Sequence, residues 1–376
     1  MRSALLVGPT GQAQGWVDFP DNAPRSSRLA LDALGGKLRL WVRAVRAPFL
    51  TAALVPMLLG AAVARHAMPA AGWSWSMFAW ALLGAVLAAA GTNLINDYGD
   101  ARSGADDNNP AAGNPFTGGS RMIQLGLLAP WQVLLASLLC FAATVVIGLH
   151  INAELAGSAL APSPLLGIGL LGCALGVAYT VGPFALSYRG LGEVAVALGF
   201  GPVIVLGASY ALCGAAGVAW PWRASLLASL PVALFILLVL WINQFQDAPS
   251  DAASGKRNWV VRMSQRSDGS FDFGRAFAMY TVLNLAGFTG IALLGALGCW
   301  NPRLATPWAW LALLALPLFL RERTQGRAWV ARWREPDADR AALPFELLPV
   351  NAQTIAVHLS SGLLLAAAFV LAAWLG

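Results

Sequence analysis

The chain has 376 residues, of which 58% are hydrophobic and only 11% charged. Soluble domains carry about 25% charged residues. This composition therefore cannot coat a water-facing surface, and it excludes a soluble enzyme, a disordered scaffold and a nucleic-acid binder. The formal charge of +6 then reports membrane topology rather than an acidic partner.

Residues 1–28 hold Asp18, Asp21 and the prolines Pro9, Pro20 and Pro24 without a long apolar run. They read as a flexible cytoplasmic segment with no removable signal peptide. Between 29 and 46, Leu38, Trp41, Val42 and Val45 recur at helical spacing with Lys37, Arg39, Arg43 and Arg46 interleaved. That pattern predicts a basic amphipathic helix on the inner membrane surface.

Apolar stretches near the ~20 residues needed to cross a bilayer then follow at about 48–66, 77–97, 131–150, 164–183, 193–214, 226–246, 276–299, 304–320 and 356–375. Their unbroken hydrophobicity suits helices rather than alternating barrel strands. The expected fold is all-α and polytopic, with nine transmembrane helices. With nine spans, all of the 24 Lys and Arg except Arg65, Arg223 and Arg303 fall on the side of the N-terminus, which the positive-inside rule makes cytoplasmic. The cysteines Cys140, Cys173, Cys213 and Cys299 lie in apolar runs and form no CxxC pair; the histidines His66, His150 and His358 are isolated. Neither set suggests a metal site or a disulfide framework.

Acids at membrane depth are costly and call for a reason. One cluster closes the second span, with Asn93, Asn96, Asp97 and Asp100 three or four residues apart and so on one helix face. A second closes the sixth span, with Asn243, Asp247 and Asp251 four apart. Both open with Asn-x-x-x-Asp at the cytoplasmic end of an even-numbered span. Four bare carboxylates at one mouth would repel one another. A hard divalent cation resolves this, because Mg²⁺ takes oxygen ligands from one or two carboxylates together with substrate phosphates. The two aspartate pairs thus read as a clamp for a magnesium-bound diphosphate, with Lys256, Arg257 and Arg262 placed to neutralise remaining phosphate charge.

The segments NDYGDARSGAD (96–106) and DAPSDAASGKR (247–257) resemble the two aspartate-rich motifs of the UbiA superfamily of intramembrane prenyltransferases, most closely its 1,4-dihydroxy-2-naphthoate branch. Arg46-Ala-Pro48-Phe49-Leu50, NPFTGGSRMIQLGLL (114–128), Tyr179-Thr-Val-Gly-Pro183 and Tyr188-Arg189-Gly-Leu-Gly-Glu193 add to the likeness. Two departures are that Gly104 stands where the family often has a third aspartate, and Gln246 where it often has arginine.

The resemblance implies a single helical bundle around a central cavity, spanning residues 29–376 as one intramembrane prenyltransferase domain in a bacterial inner membrane. It implies Mg²⁺-dependent transfer of a polyprenyl group from polyprenyl diphosphate to an aromatic acceptor, 1,4-dihydroxy-2-naphthoate in menaquinone biosynthesis, at a site facing the cytoplasm. Asp97, Asp100, Asp247 and Asp251 would hold the metal and act in catalysis. Asn93, Asn96, Arg46, Asp106, Tyr179, Asn243, Lys256 and Arg257 would bind substrate. The partners are then the prenyl donor, the aromatic acceptor and the bilayer, with no nucleic acid. Competing expectations are another acceptor, such as 4-hydroxybenzoate or homogentisate, or a secondary transporter. A transporter would place polar residues near midspan in several helices, whereas these acids collect at one mouth.

Overall fold

A computed structural model of the chain describes residues 2–7, 13–19, 30–69, 72–104 and 119–375. Two antiparallel strands, β1 (Arg2–Val7) and β2 (Ala13–Phe19), form a hairpin at the N-terminus, where the sequence suggests only a flexible segment. The remaining described residues build an all-helical body. The expected amphipathic helix is α1 (Ala30–Ala44), which ends in Arg43 and Ala44 before the chain turns at Arg46.

Among the described residues, seven helical stretches are long and apolar enough to cross a membrane. They contain α2 (Thr51–Ala67), α3 (Trp75–Ser103), α4 (Pro130–Ala156), α6 (Gly192–Leu198) running through a π-turn into α7 (Ile204–Ala215), α8 (Trp222–Ala253), α10 (Gly274–Trp300) and α13 (Leu348–Leu375). The π-turn, Gly199–Val203, encloses Pro202, whose missing N–H and bulky ring oppose regular helix geometry.

Two expected spans take other forms. The fourth becomes α5 (Pro164–Ala178), started by Ser163, whose side chain accepts from the Leu166 N–H. Its 15 residues rise only about 22 Å, less than the ~30 Å hydrocarbon core. The eighth opens as a 3₁₀ run, Pro307–Ala315, and continues as α11 (Leu316–Trp333). Thr306, Ala309, Ala312 and Ala315 are all buried. Their spacing of three matches the three residues per 3₁₀ turn, so one stripe of small side chains faces α10 and α13. The short helices α9 (Trp259–Ser264) and α12 (Leu343–Glu346) complete the order.

Helix α8 is the hub. In its most apolar window 72% is buried, against 22% for α4, so α8 sits inside the bundle and α4 faces lipid. Phe235, Trp241, Ile242 and Phe245 on α8 are essentially inaccessible. Phe245 stacks on Phe273 with ring centroids 5.1 Å apart, and Trp329 closes the cluster from α11.

Outside the spans, Asp272 joins the α9–α10 connection to the end of α11. It accepts from Arg334 Nη2 at 2.8 Å and Nε at 3.0 Å, and from Arg266 at 2.8 Å. The Arg334 bonds, then the Gly274 N–H, hold its carboxyl below the ordinary carboxylate value. A carboxylate held low stabilises the fold above its unfolded pKa and loses that contribution as pH falls through the folded value. The melting temperature of the wild type should therefore drop more steeply than that of Asp272→Asn as pH is lowered from about 6 to about 3. Parallel thermal scans of the two proteins in detergent check this; identical slopes would refute it.

Candidate active site

Both aspartate motifs end their helices at a left-handed glycine, and the turns carry the site. After α8 the Gly255 N–H bonds to the Ala252 carbonyl and the Lys256 N–H returns to the Asp251 carbonyl at 2.8 Å. This is a Schellman closure, and it needs the left-handed conformation that Gly255 adopts at φ 81°. After α3, Gly104 caps the helix at φ 74°, its N–H bonded to the Asp100 carbonyl. The Gly255 turn folds Lys256 back over the helix it has just left.

The ammonium of Lys256 lies 3.3 Å from Asp100 Oδ2 and 3.7 Å from Asp251 Oδ1. One cation thus straddles the two motifs, and the carboxylates of α3 and α8 lie no farther apart than those two distances together. Burial disfavours the charged amine, but Asp100 and Asp251 outweigh it and hold Lys256 well above its ordinary pKa. Asp251 also accepts from Asn258 Nδ2 at 2.7 Å. Asp100 accepts from Asn96 Nδ2 at 3.2 Å and from the Tyr188 hydroxyl at 3.1 Å.

These groups form the mouth of a cavity of about 170 Å³ between α3 and α8. Asp100, Asp247, Asp251 and Lys256 line it, with Asn93, Asn96 and Asn243 deeper along the same two helices and Arg46 and Tyr179 on its walls. Asp97 is buried beside it; both its oxygens accept the Ser120 N–H, at 3.3 and 3.1 Å, and Arg46 is within electrostatic reach. Arg46 itself is left-handed at φ 53°, a conformation costing about 1–3 kcal/mol for a side-chain-bearing residue and found mostly at functional sites. Gly99 lets α3 approach the end of α5: a Cβ there would collide with Thr180, whose hydroxyl donates to Asn96 Oδ1 at 2.6 Å.

Arg257 is not brought into the cavity. Its guanidinium donates to Gln265 at 2.6 Å, and its backbone ties Tyr188 and Arg262 together. One residue beyond Lys256, the chain already points the other way. Asp106 lies outside the described residues. Gln246 is buried against α13 instead of facing the cavity.

Tyr188 beside the mouth and Gln244 on the cavity wall were not among the expected site residues. Tyr188 places its ring 5.6 Å from the Lys256 ammonium. Burial and then the Asp100 charge push its phenol up to about 12. Gln244 lines the cavity and donates Nε2 to the buried Glu193 at 3.0 Å. The signal for Tyr188 and Glu193 was the Tyr188–Glu193 segment, but no spacing rule ties that loop to α8.

Beyond the headgroup region the lining turns apolar. Thr92, Tyr179, Val196 and Phe200 pass from the mouth into a smaller chamber of about 90 Å³. Ala85, Ala88, Gly172, Val203 and Ile204 pass from that chamber into a pocket of about 330 Å³ between α3, α4, α5 and α7. The chain therefore sets a charged mouth next to two apolar pockets that share lining residues in series, an arrangement suited to a long amphiphile with an anionic head.

Comparisons with known proteins agree with that shape. A family model described as the UbiA prenyltransferase family matches residues 53–347. The chain is 31% identical to the 1,4-dihydroxy-2-naphthoate octaprenyltransferase of Mycobacterium tuberculosis, covering 75% of this chain and 84% of that protein. It is 28% identical to the 2-carboxy-1,4-naphthoquinone phytyltransferase of Synechocystis sp., over 76% and 84%. With the 1,4-dihydroxy-2-naphthoate octaprenyltransferase of Escherichia coli it shares 28% over 82% and 90%. Among solved structures, a digeranylgeranylglyceryl phosphate synthase superposes with a TM-score of 0.51 at 14% identity, covering 89% of this chain and 99% of that one. A UbiA homolog from Archaeoglobus fulgidus bound to GPP and Mg²⁺ gives 0.50 at 16%, over 85% and 99%. Both structures share the fold.

Proposed function

The chain belongs to the UbiA prenyltransferase family, and from that premise we propose that it transfers a polyprenyl group from polyprenyl diphosphate to 1,4-dihydroxy-2-naphthoate, with Mg²⁺, at the cytoplasmic face of a bacterial inner membrane. The acceptor is the one named for the naphthoate relatives, and the face follows from the distribution of Lys and Arg. The observation that carries the reading is Lys256 bridging Asp100 and Asp251 at a cavity mouth with apolar pockets behind it. The reading keeps residues 29–376 as one intramembrane domain, with 1–28 a separate cytoplasmic segment.

By the chemistry of its donors the set fits a hard divalent ion, although among the described residues no three acids are gathered into a ready-made metal cluster. Asp97, Asp100, Asp247 and Asp251 offer only oxygens, and Asp100 and Asp251 already share one positive charge, as carboxylates that converge on a cation must. When bound there, Mg²⁺ would neutralise charge developing on the leaving diphosphate.

The chain's own residues do the rest. Lys256 and Arg46 supply fixed positive charge to phosphate oxygens as the allylic C–O bond breaks. Asn96, locked between Thr180 and Asp100, holds the Asp100 carboxylate in place. Apolar walls exclude water from the allylic cation, which would otherwise be trapped as an alcohol. Tyr179, on the wall between mouth and chamber, offers a ring face to that cation. An electron-rich ring carbon then forms the new C–C bond. Where that carbon carries a carboxylate, departure of CO₂ restores aromaticity.

The direct test incubates the purified protein in nanodiscs with Mg²⁺, a labelled polyprenyl diphosphate and a panel containing 1,4-dihydroxy-2-naphthoate, 4-hydroxybenzoate and homogentisate. A prenylated, decarboxylated naphthalene product is expected. Product from 4-hydroxybenzoate or homogentisate alone would reassign the acceptor, and no product from any of them would reject the reading.

A further inference from the structure

Asn93 and Asn243 hold equivalent places in the two Asn-x-x-x-Asp repeats, one turn inside Asp97 and Asp247, and both line the headgroup cavity. Their anchoring is opposite. Asn93 donates Nδ2 to the Val45 carbonyl at 3.0 Å, an atom that can only accept, so its Oδ1 is left for the cavity. Asn243 uses its Oδ1 to accept from Asn351 Nδ2 at 2.7 Å. Its own Nδ2 has no partner among the described residues.

A backbone atom sets that polarity from a distance. Gln246 donates Nε2 to the Pro344 carbonyl at 2.6 Å and to Asn351 Oδ1 at 3.0 Å. Because the Pro344 oxygen cannot donate, Gln246 cannot reverse its amide without facing one acceptor with another. Asn351 then turns Oδ1 to Gln246 Nε2 at 3.0 Å and Nδ2 to Asn243 at 2.7 Å, the same Nδ2 also donating to Gln246 Oε1 at a longer 3.4 Å. Gln246 and Asn351 are 1% and 0% exposed, so no bulk water is at hand to satisfy a reversed amide. The sequence of bonds runs from a carbonyl before α13 to a side chain in the cavity wall, and its polarity is set by the Pro344 oxygen, which can only accept.

We infer that Asn351, acting with Gln246, is a positioning residue that turns the N–H donors of Asn243 into the cavity to meet a phosphate oxygen of the prenyl donor. Two asparagines that look alike in sequence thereby do opposite work: one presents a carbonyl oxygen, the other a hydrogen-bond donor. The inference rests on the diphosphate reading above and adds a residue of the last helix, outside the matched segment 53–347, to that site.

The test is calorimetric binding of Mg²⁺-pyrophosphate to the full chain in nanodiscs, alongside steady-state kinetics with donor and acceptor varied separately. Asn351→Asp has the same shape and still accepts from Gln246, but it cannot donate to Asn243, which then turns Oδ1 toward the anion. Pyrophosphate Kd and donor KM should both rise about tenfold, while kcat and acceptor KM stay within about twofold. Asn351→Leu imposes no polarity and should weaken pyrophosphate by about threefold. In an Asn243→Ala background, Asn351→Asp should have no further effect on pyrophosphate, because its action runs through Asn243.

A wild type that binds Mg²⁺-pyrophosphate while both Asn351 variants bind it equally well would overturn the inference alone. If Asn351→Asp does not fold, an unchanged affinity in Asn351→Leu overturns it. Equal losses in kcat and in both KM values would mark Asn351 as structural only. A wild type with no affinity for Mg²⁺-pyrophosphate would instead remove the diphosphate reading itself.

Discussion

Replacing Asp251 by Ala should lower kcat/KM for prenyl transfer by about three orders of magnitude, ~4 kcal/mol of transition-state stabilisation. The carboxylate is only 5% exposed and joins three functions at one point. It shares Lys256 with Asp100, accepts from Asn258, and lines the cavity mouth. Its removal leaves Lys256 to Asp100 alone and drops one of four acids from the proposed metal clamp. Asp251→Asn separates charge from shape, since an amide oxygen still accepts from Asn258 while the negative charge is gone. Both variants should need a higher Mg²⁺ concentration for half-maximal rate. Kinetics across a Mg²⁺ titration decide the matter, and an Asp251→Ala protein within tenfold of wild type would end the clamp idea.

The second large effect concerns donor length. Ala88 lines both the small chamber and the deep apolar pocket, as Gly172 and Val203 do, and does not line the headgroup mouth. A phenyl ring there would fill space between the two apolar pockets. Ala88→Phe should therefore keep the rate with a ten-carbon donor within a few-fold and lose about 100-fold, ~3 kcal/mol, with donors of thirty carbons or more. Chromatography of products from a mixed donor pool reads this out. Equal loss for short and long donors would show that the tail runs elsewhere.

The sequence displays the chemistry of this site better than its architecture. The two Asn-x-x-x-Asp repeats could be placed on helix faces because period and polarity are local properties. That they meet follows only from packing, and here Lys256 supplies the proof. Lys256 and Arg257 are indistinguishable as adjacent cations in a string of letters. The Schellman turn at Gly255 sends one over the acids and the other to Gln265. Asn351 stayed invisible, and Glu193 was legible only as the end of a matching segment, for a related reason. Their partners lie on helices distant in sequence, and a buried amide in an apolar run carries no period of its own. The eighth span was read as an ordinary helix because hydropathy ignores the three-residue spacing of Thr306, Ala309, Ala312 and Ala315.

Helices α3 and α8 have 29 and 32 residues, and so rise about 44 and 48 Å where the hydrocarbon layer is about 30 Å deep. Each is longer than the oily slab is deep, and the acids stand in the closing turns of both helices. Ala85, at the deep pocket, is twelve residues below Asp97, a drop of about 18 Å. A prenyl diphosphate dissolved in a leaflet already floats with its charged end at the water and its tail hanging inward. The protein copies that posture, so the lipid meets its site the right way up, and no phosphate has to be dragged through the membrane interior.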